Sequence, residues 1–186
     1  MTDEPGFVRD ARASDAPGLA RIQVASWRAS LAGLVPGEVL EELSSATAEE
    51  QFTQQWLNAI TKPPTNRHRI HVATGSVPGS GPVGFASAGP ATDDDKWPGT
   101  DAELYELHVQ PETTDEGHGA RLLHAVAGTL AEDGFRTACA WALSDDRPRL
   151  EFLESAGWAP DGASSNLDMG VKVHVVRLHT LLSPEP

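Results

Sequence analysis

The run AELYELHVQPETTDEGHGARLLHAV, residues 102–126, constrains the fold more than any other stretch. Ala102 to Val109 reads as a strand that ends at Pro111, and a short polar loop follows. Gly117-His118-Gly119-Ala120 then opens a helix whose apolar face is Leu122, Leu123 and Val126. Glycines at such a turn let the backbone approach a ligand closely. The free amides of the first helical turn, with the positive end of the helix dipole, suit a phosphate. A third glycine at dinucleotide spacing is missing and no Gly-Lys-Ser/Thr follows, so the Rossmann and P-loop readings fall away.

The rest of the chain surrounds this unit with alternating periods. A strand over residues 7–11 leads into Ser14-Asp15-Ala16-Pro17, a helix-start signal. Leu19, Ile22, Trp27 and Leu31 make the apolar stripe of that helix, which Gly33 and Pro36-Gly37 break. Short helices are expected over residues 36–43 and 47–60. Strands are expected over 69–73 and 83–88, joined by a turn at Val77-Pro78-Gly79-Ser80-Gly81. After an acidic loop, Asp93-Asp94-Asp95, come the strand at 102–109 and the helix at 117–132. A strand at 136–143, a helix at 146–156 and two closing strands complete the pattern, the last over 171–182. No repeat or linker divides the chain, so residues 1–186 are expected to form one domain. Its class is α+β, a central mixed sheet flanked by helices.

Composition narrows the functions. Hydrophobic residues are 39% and charged residues 22% of the 186, as in globular proteins. No apolar run approaches the roughly 20 residues of a membrane span. Met1-Thr2-Asp3-Glu4-Pro5 is no basic-then-apolar leader, so a cytoplasmic location and no membrane partner are expected. The formal net charge of -13 argues against nucleic acid and would favour a cationic partner. Cys139 is the lone cysteine and reads as a buried thiol. His68 and His71 lack an acidic or thiol neighbour in sequence, and no metal is expected.

Beyond the turn itself, the chain resembles the GNAT superfamily of N-acetyltransferases. Leu107-His108-Val109-Gln110-Pro111, Gly117-His118-Gly119 and Leu122-Leu123 follow that family's fourth strand, phosphate turn and third helix. Ser26-Trp27-Arg28 with Gly33-Leu34-Val35-Pro36 resembles its first helix. Phe152-Leu153-Glu154-Ser155-Ala156-Gly157-Trp158 resembles the element closing its fourth helix, and Val175-Val176-Arg177-Leu178 its last strand. The resemblance implies a splayed, mostly antiparallel sheet and acetyl-CoA as co-substrate. It also implies an amine acceptor and a homodimer. Pantetheine would pair with main-chain groups of Leu107 and Val109. The phosphates would meet the loop Thr114, Asp115, Glu116, Gly117, His118, Gly119 and Ala120, with Asp146 as a further cofactor contact.

Three departures qualify it. Thr114 stands where the family has arginine or glutamine, beside the acids Asp115 and Glu116. Asp146 stands where asparagine is common, and Leu153 where the family's tyrosine acid usually lies. Tyr105, the only tyrosine, is the substitute acid. A carboxylate must deprotonate the amine: Glu103 is the first candidate, with Glu106 and His108 next. Strand alternation puts the latter two on the face opposite Glu103 unless a bulge intervenes. Trp27 is the candidate wall of the acceptor pocket. A non-catalytic acyl-CoA-binding module and a dimerisation adaptor are the competing readings.

Overall fold

A computed structural model describes residues 7–75, 79 and 81–182. The opening residues Met1 to Pro5 and most of the expected 77–81 turn lie outside these. Among the described residues, seven strands form one sheet in the order β1-β2-β3-β4-β5-β7-β6. They are β1 (Val8–Asp10), β2 (Arg69–Thr74), β3 (Pro82–Pro90), β4 (Asp101–Val109), β5 (Thr137–Leu143), β6 (Ala159–Asp168) and β7 (Lys172–Leu181). Only β4 and β5 are parallel neighbours. Helix α4 (His118–Glu132) makes the crossover that this pairing requires. The mixed, mostly antiparallel sheet flanked by helices is the expected α+β fold.

The helices cover both faces. On one, α4 presses Leu122, Val126 and Leu130 onto Ala86, Ala88, Ala102, Ala138 and Ala140. The alanines of β3, β4 and β5 leave room for its leucines to sit close to the sheet. On the other, α1 (Ala16–Ser30) packs Leu19 and Ile22 against Val72 and Phe85. Trp56 of α3 (Ala46–Thr61) meets Phe85 edge-on at 4.8 Å. Each such fully buried leucine or isoleucine contributes about 1.5–3 kcal/mol. The short α2 (Gly37–Leu43) and α5 (Arg147–Ser155) complete the set.

The expected helix start at Ser14-Asp15 is present, but Asp15 does not cap it with its side chain. Its carboxylate is buried and takes Arg9 at 2.7 and 2.9 Å and the Arg12 amide at 2.7 Å. Pro17 then fixes the first turn.

Two irregularities in β4 position the site. The β4–β5 ladder runs from Asp101–Thr137 only to Leu104–Ala140, while both strands continue beyond it. A wedge therefore opens between them from Leu104 onward. Across the β3–β4 ladder, Ser87 pairs with Glu106 but Ala88 with Leu104, so Tyr105 is an extra, bulged residue. The bulge resets the alternation: Leu104 and Leu107 both enter the α4-side core although two residues, an even number, lie between them. Glu103, Glu106 and His108 consequently share the opposite face.

Candidate active site

Two hollows meet at the mouth of the wedge. The larger, about 650 Å³, has Leu107 and Val109 along one edge and Thr114, Asp115, Gly117, Gly119 and Ala120 at one end. Asp146, Arg149 and Phe152 of α5 and Ser26 and Ser30 of α1 close the other sides. The smaller, about 250 Å³, is walled by Trp27, Tyr105, Glu106, His108 and Trp141, with Met169 and Val175 from the far side. Ser26, Ser30, Asp146 and Arg149 line both, so the two form one through-going groove.

The glycine turn is shaped for close approach. Gly117 has φ of 75°, the left-handed region that glycine enters at little cost, and no side chain caps the first turn of α4. A Cβ on Gly119 would lie in ordinary contact with Phe152 Cζ at 3.4 Å and Val109 Cγ2 at 3.7 Å, so a larger side chain must extend into the hollow that Gly119 lines. Glu116 and His118 do not line the hollow. His118 is fully buried, and its Nδ1 accepts from Arg121 Nη2 at 2.8 Å. An arginine only donates, so the ring proton sits on Nε2 and is given to Glu116 Oε2 at 3.0 Å. Those two residues can meet a ligand here only through main-chain groups. Arg121 also donates to the Glu116 carbonyl at 3.1 Å, which brings a cation beside Gly117 to offset Asp115 and Glu116. Thr114 turns its hydroxyl back onto the Pro111 carbonyl at 2.8 Å. Asp146 caps α5, accepting from the Arg149 amide at 3.1 Å.

The smaller hollow holds a hydrogen-bonded array. His108 Nε2 lies 2.5 Å from Glu106 Oε2, and its Nδ1 lies 2.8 Å from Ser26 Oγ. Nε2 donates to the carboxylate and Nδ1 bonds the serine hydroxyl, so the ring is oriented at both ends. Glu103 stands apart from this array despite sharing its face. Its carboxylate accepts from the Thr92 amide at 3.1 Å and hydroxyl at 2.8 Å, and it lines neither hollow. Tyr105 does line the smaller hollow, but its hydroxyl donates to the Pro90 carbonyl at 2.6 Å. Burial, then the neighbouring Glu103, pushes its pKa up to about 12, well above that of an ordinary thiol. Leu153 is fully buried in the core beneath α4 and faces no hollow. Trp27 lines the smaller hollow and is held edge-on against Phe52 at 5.2 Å.

Sequence reasoning passed over two arginines. Arg149 reaches into the wedge and donates Nη1 to the Leu107 carbonyl at 2.7 Å. Its signal was the spacing from Leu153, one helical turn later on the same face of α5. Arg177 lies buried on β7 and gathers Asp93, Asp95 and Asp161 at 2.6–2.7 Å. The acidic loop is therefore tied down rather than freely solvated, because a buried guanidinium needs counter-charges. Trp141 donates to Asp93 at 3.0 Å, which joins the loop to the wall of the smaller hollow. No sequence pattern linked these positions. His71 lies buried on β2, and Asp10, not its neighbour in sequence, meets it at 3.1 Å across the β1–β2 ladder.

Among the described residues, no group of three or more His, Cys, Asp or Glu side chains is arranged to hold a metal ion. No described helix is long and apolar enough to cross a membrane.

Residues 37–158 match the family described as "Acetyltransferase (GNAT) family". The chain is 27% identical over 173 residues to a protein of Bacillus subtilis (strain 168) described as the uncharacterized N-acetyltransferase YuaI, covering 92% of this chain and 90% of that one. Its fold is similar to that of PaiA N-acetyltransferase from Thermoplasma acidophilum, solved in complex with coenzyme A. That match has a TM-score of 0.71 at 19% identity, over 94% of this chain and 98% of that one. It is similar again to yncA of Salmonella typhimurium, solved with its cofactor acetyl-CoA. Here the TM-score is 0.70 at 16% identity, over 98% of this chain and 97% of that one.

Proposed function

The chain belongs to the acetyltransferase (GNAT) family, and from that premise we propose that it moves an acetyl group from acetyl-CoA to a primary amine by direct attack. The observation that carries this reading is a convergence. The edge of β4 at Leu107 and Val109, beyond the last β4–β5 rung, and the uncapped turn at Gly117 and Gly119 border one hollow, and that hollow opens onto Glu106 and His108.

The cofactor lies in the larger hollow. Its diphosphate meets main-chain amides at the start of α4, where the helix dipole adds to the attraction. Asp115 and Glu116 weaken this only modestly: an acid roughly 7 Å from a phosphate in water-like surroundings costs about 0.6 kcal/mol. Pantetheine follows β4 along Leu107 and Val109, past the last β4–β5 rung, beside the Leu107 carbonyl that takes Arg149. Asp146 stands at the head of α5, beside the point where the thioester enters the wedge.

The acceptor occupies the smaller hollow, between Trp27 and Trp141. A cationic amine suits it, since Glu106 and Asp146 both face the junction and aromatic faces attract cations. An amine with a pKa near 10.4 must first lose its proton, a deficit of about 4–5 kcal/mol at neutral pH. Glu106 is the base, directly or through one water. His108 holds its carboxylate in position and Ser26 holds the far side of the ring; the proton Glu106 gains passes on to water. Glu103 is left as a strut for the β3–β4 loop through Thr92. The main-chain amide near Val109 faces the developing oxyanion.

Incubation with acetyl-CoA and a panel of polyamine, aminoglycoside and peptide amines, followed by mass spectrometry, tests this. An acetylated product is the expected result. Binding of acetyl-CoA with no product from any amine would instead favour a non-catalytic acyl-CoA-binding module, a reading the Glu106–His108–Ser26 array speaks against.

A further inference from the structure

The proposed reaction leaves one charge unattended. When the amine nitrogen bonds to the carbonyl carbon and the intermediate collapses, the C–S bond breaks and its electron pair stays on sulfur. The family position for a proton donor holds Leu153, which is fully buried in the core. Tyr105 is committed to the Pro90 carbonyl and is a weak acid. Neither can meet a thiolate at the wedge.

We propose that Arg149 is the residue that stabilises the departing coenzyme A thiolate. This rests on the acetyl-transfer reading above. Arg149 lies on α5 four residues before Leu153, so its side chain leaves the helix on the same face, one turn nearer the wedge. Asp146 fixes that first turn by accepting the Arg149 amide. The guanidinium is anchored at one end by the Leu107 carbonyl at 2.7 Å. That carbonyl lies past the last β4–β5 rung, on the strand edge where pantetheine would run. Its other donors have no side-chain or main-chain hydrogen bond among the described residues and border both hollows.

The local charges fit this role. Glu106 and Asp146 are the anions that act on Arg149, and burial disfavours its positive charge, lowering its pKa. A desolvated cation with open donors gains most when a new anion forms beside it, which is the condition for stabilising a transition state over a ground state. The guanidinium does not lose its proton. It gives charge-assisted hydrogen bonds to sulfur; Glu106, having passed the ammonium's first proton to water, takes the second from the nitrogen of the intermediate, and the thiolate is protonated by solvent after release.

Three full-length variants test this with acetyl-CoA and whichever amine the unmodified protein acetylates. Arg149→Ala is expected to lower kcat about 10²-fold, the scale of losing one preorganised donor. Its acceptor KM is expected to stay within about threefold, and added guanidinium ion should restore kcat at least about tenfold. Arg149→Lys supplies a charge that can titrate. Its kcat should fall as pH rises through the lysine pKa, near or below 10.4, a limb the unmodified protein lacks. Arg149→Gln keeps a donor without the charge and should behave like Arg149→Ala. If Arg149→Ala does not fold, the lysine pH profile and the glutamine kcat decide the matter. The proposal is overturned if kcat is unchanged in the alanine or glutamine variant. It is equally overturned if the loss appears only in acceptor KM, or if the lysine profile superimposes on that of the unmodified protein. Absence of any transfer by the unmodified protein would sink the acetyl-transfer reading and this one with it.

Discussion

Arg177 Nη2 lies 2.6 Å from Asp95 Oδ2, fastening β7 to a loop 82 residues earlier in the chain. The guanidinium holds the Asp95 carboxyl below its ordinary value of 3.8, at about 2. A carboxyl whose pKa is depressed by folding adds stability that is complete above its unfolded value and lost as pH falls through the folded one. The Asp95 contribution therefore disappears between pH 3.8 and about 2. Thermal unfolding of Asp95→Asn should show a shallower decline of Tm across that window than the unmodified protein. An identical decline would remove the pair from the account of acid stability.

Losing the cation itself costs more. Arg177→Met removes the closer cation of the enclosed Asp161, leaving it Lys96 at 3.5 Å, and detaches Asp93 from β7. The expected cost is about 3 kcal/mol, the scale for breaking an enclosed ion pair, read as lowered Tm. Activity at permissive temperature should fall as well, since Asp93 also holds Trp141 in the wall of the smaller hollow.

The glycine turn can be tested by volume. A Cβ at Gly119 already reaches Phe152 at 3.4 Å, and valine adds two methyl groups toward the hollow. Gly119→Val should raise the coenzyme A Kd at least about 100-fold in calorimetry, a loss of about 2.7 kcal/mol, while the protein stays folded. Unchanged affinity would mean that the diphosphate binds somewhere else.

The assignment of the base rests on two glutamates of one strand. Glu106→Gln should lower kcat/KM about 10²–10⁴-fold, the usual range for a general base. Glu103→Gln should keep activity within a few-fold and lower Tm slightly through Thr92. The reverse outcome would return the role to Glu103 and make the His108 array structural.

Leu153→Tyr asks whether the family's tyrosine can be put back. Leu153 is fully buried, so the larger side chain overpacks the core at a cost of about 1–3 kcal/mol. A lower Tm without a gain in kcat is expected. A rise in kcat with a new falling limb at high pH would show that the position does reach the thioester.

Much of this was legible in the residues themselves. The strand at 102–109, the turn at Gly117 and the leucines at 122 and 123 are local patterns, since strand alternation, left-handed glycine and helical periodicity depend on near neighbours. The order of elements followed for the same reason. What the period-2 pattern could not show was the bulge at Tyr105. It depends on how β3 pairs with β4, and one extra residue moves Glu106 and His108 onto the face of Glu103. The choice among those groups was equally hidden, because it turns on Thr92 engaging Glu103 and Ser26 engaging His108, 82 residues apart in sequence.

The sequence by itself determined a crossover with a glycine-opened helix, and with it the family. Tertiary structure alone decided which groups meet: Arg149 on the Leu107 carbonyl, Glu106 on His108, Arg177 on its three aspartates. Backbone preferences are set within a few residues along the chain. Coulombic and hydrogen-bond partners are set by distance in space, and here the fold brings them together from segments dozens of residues apart.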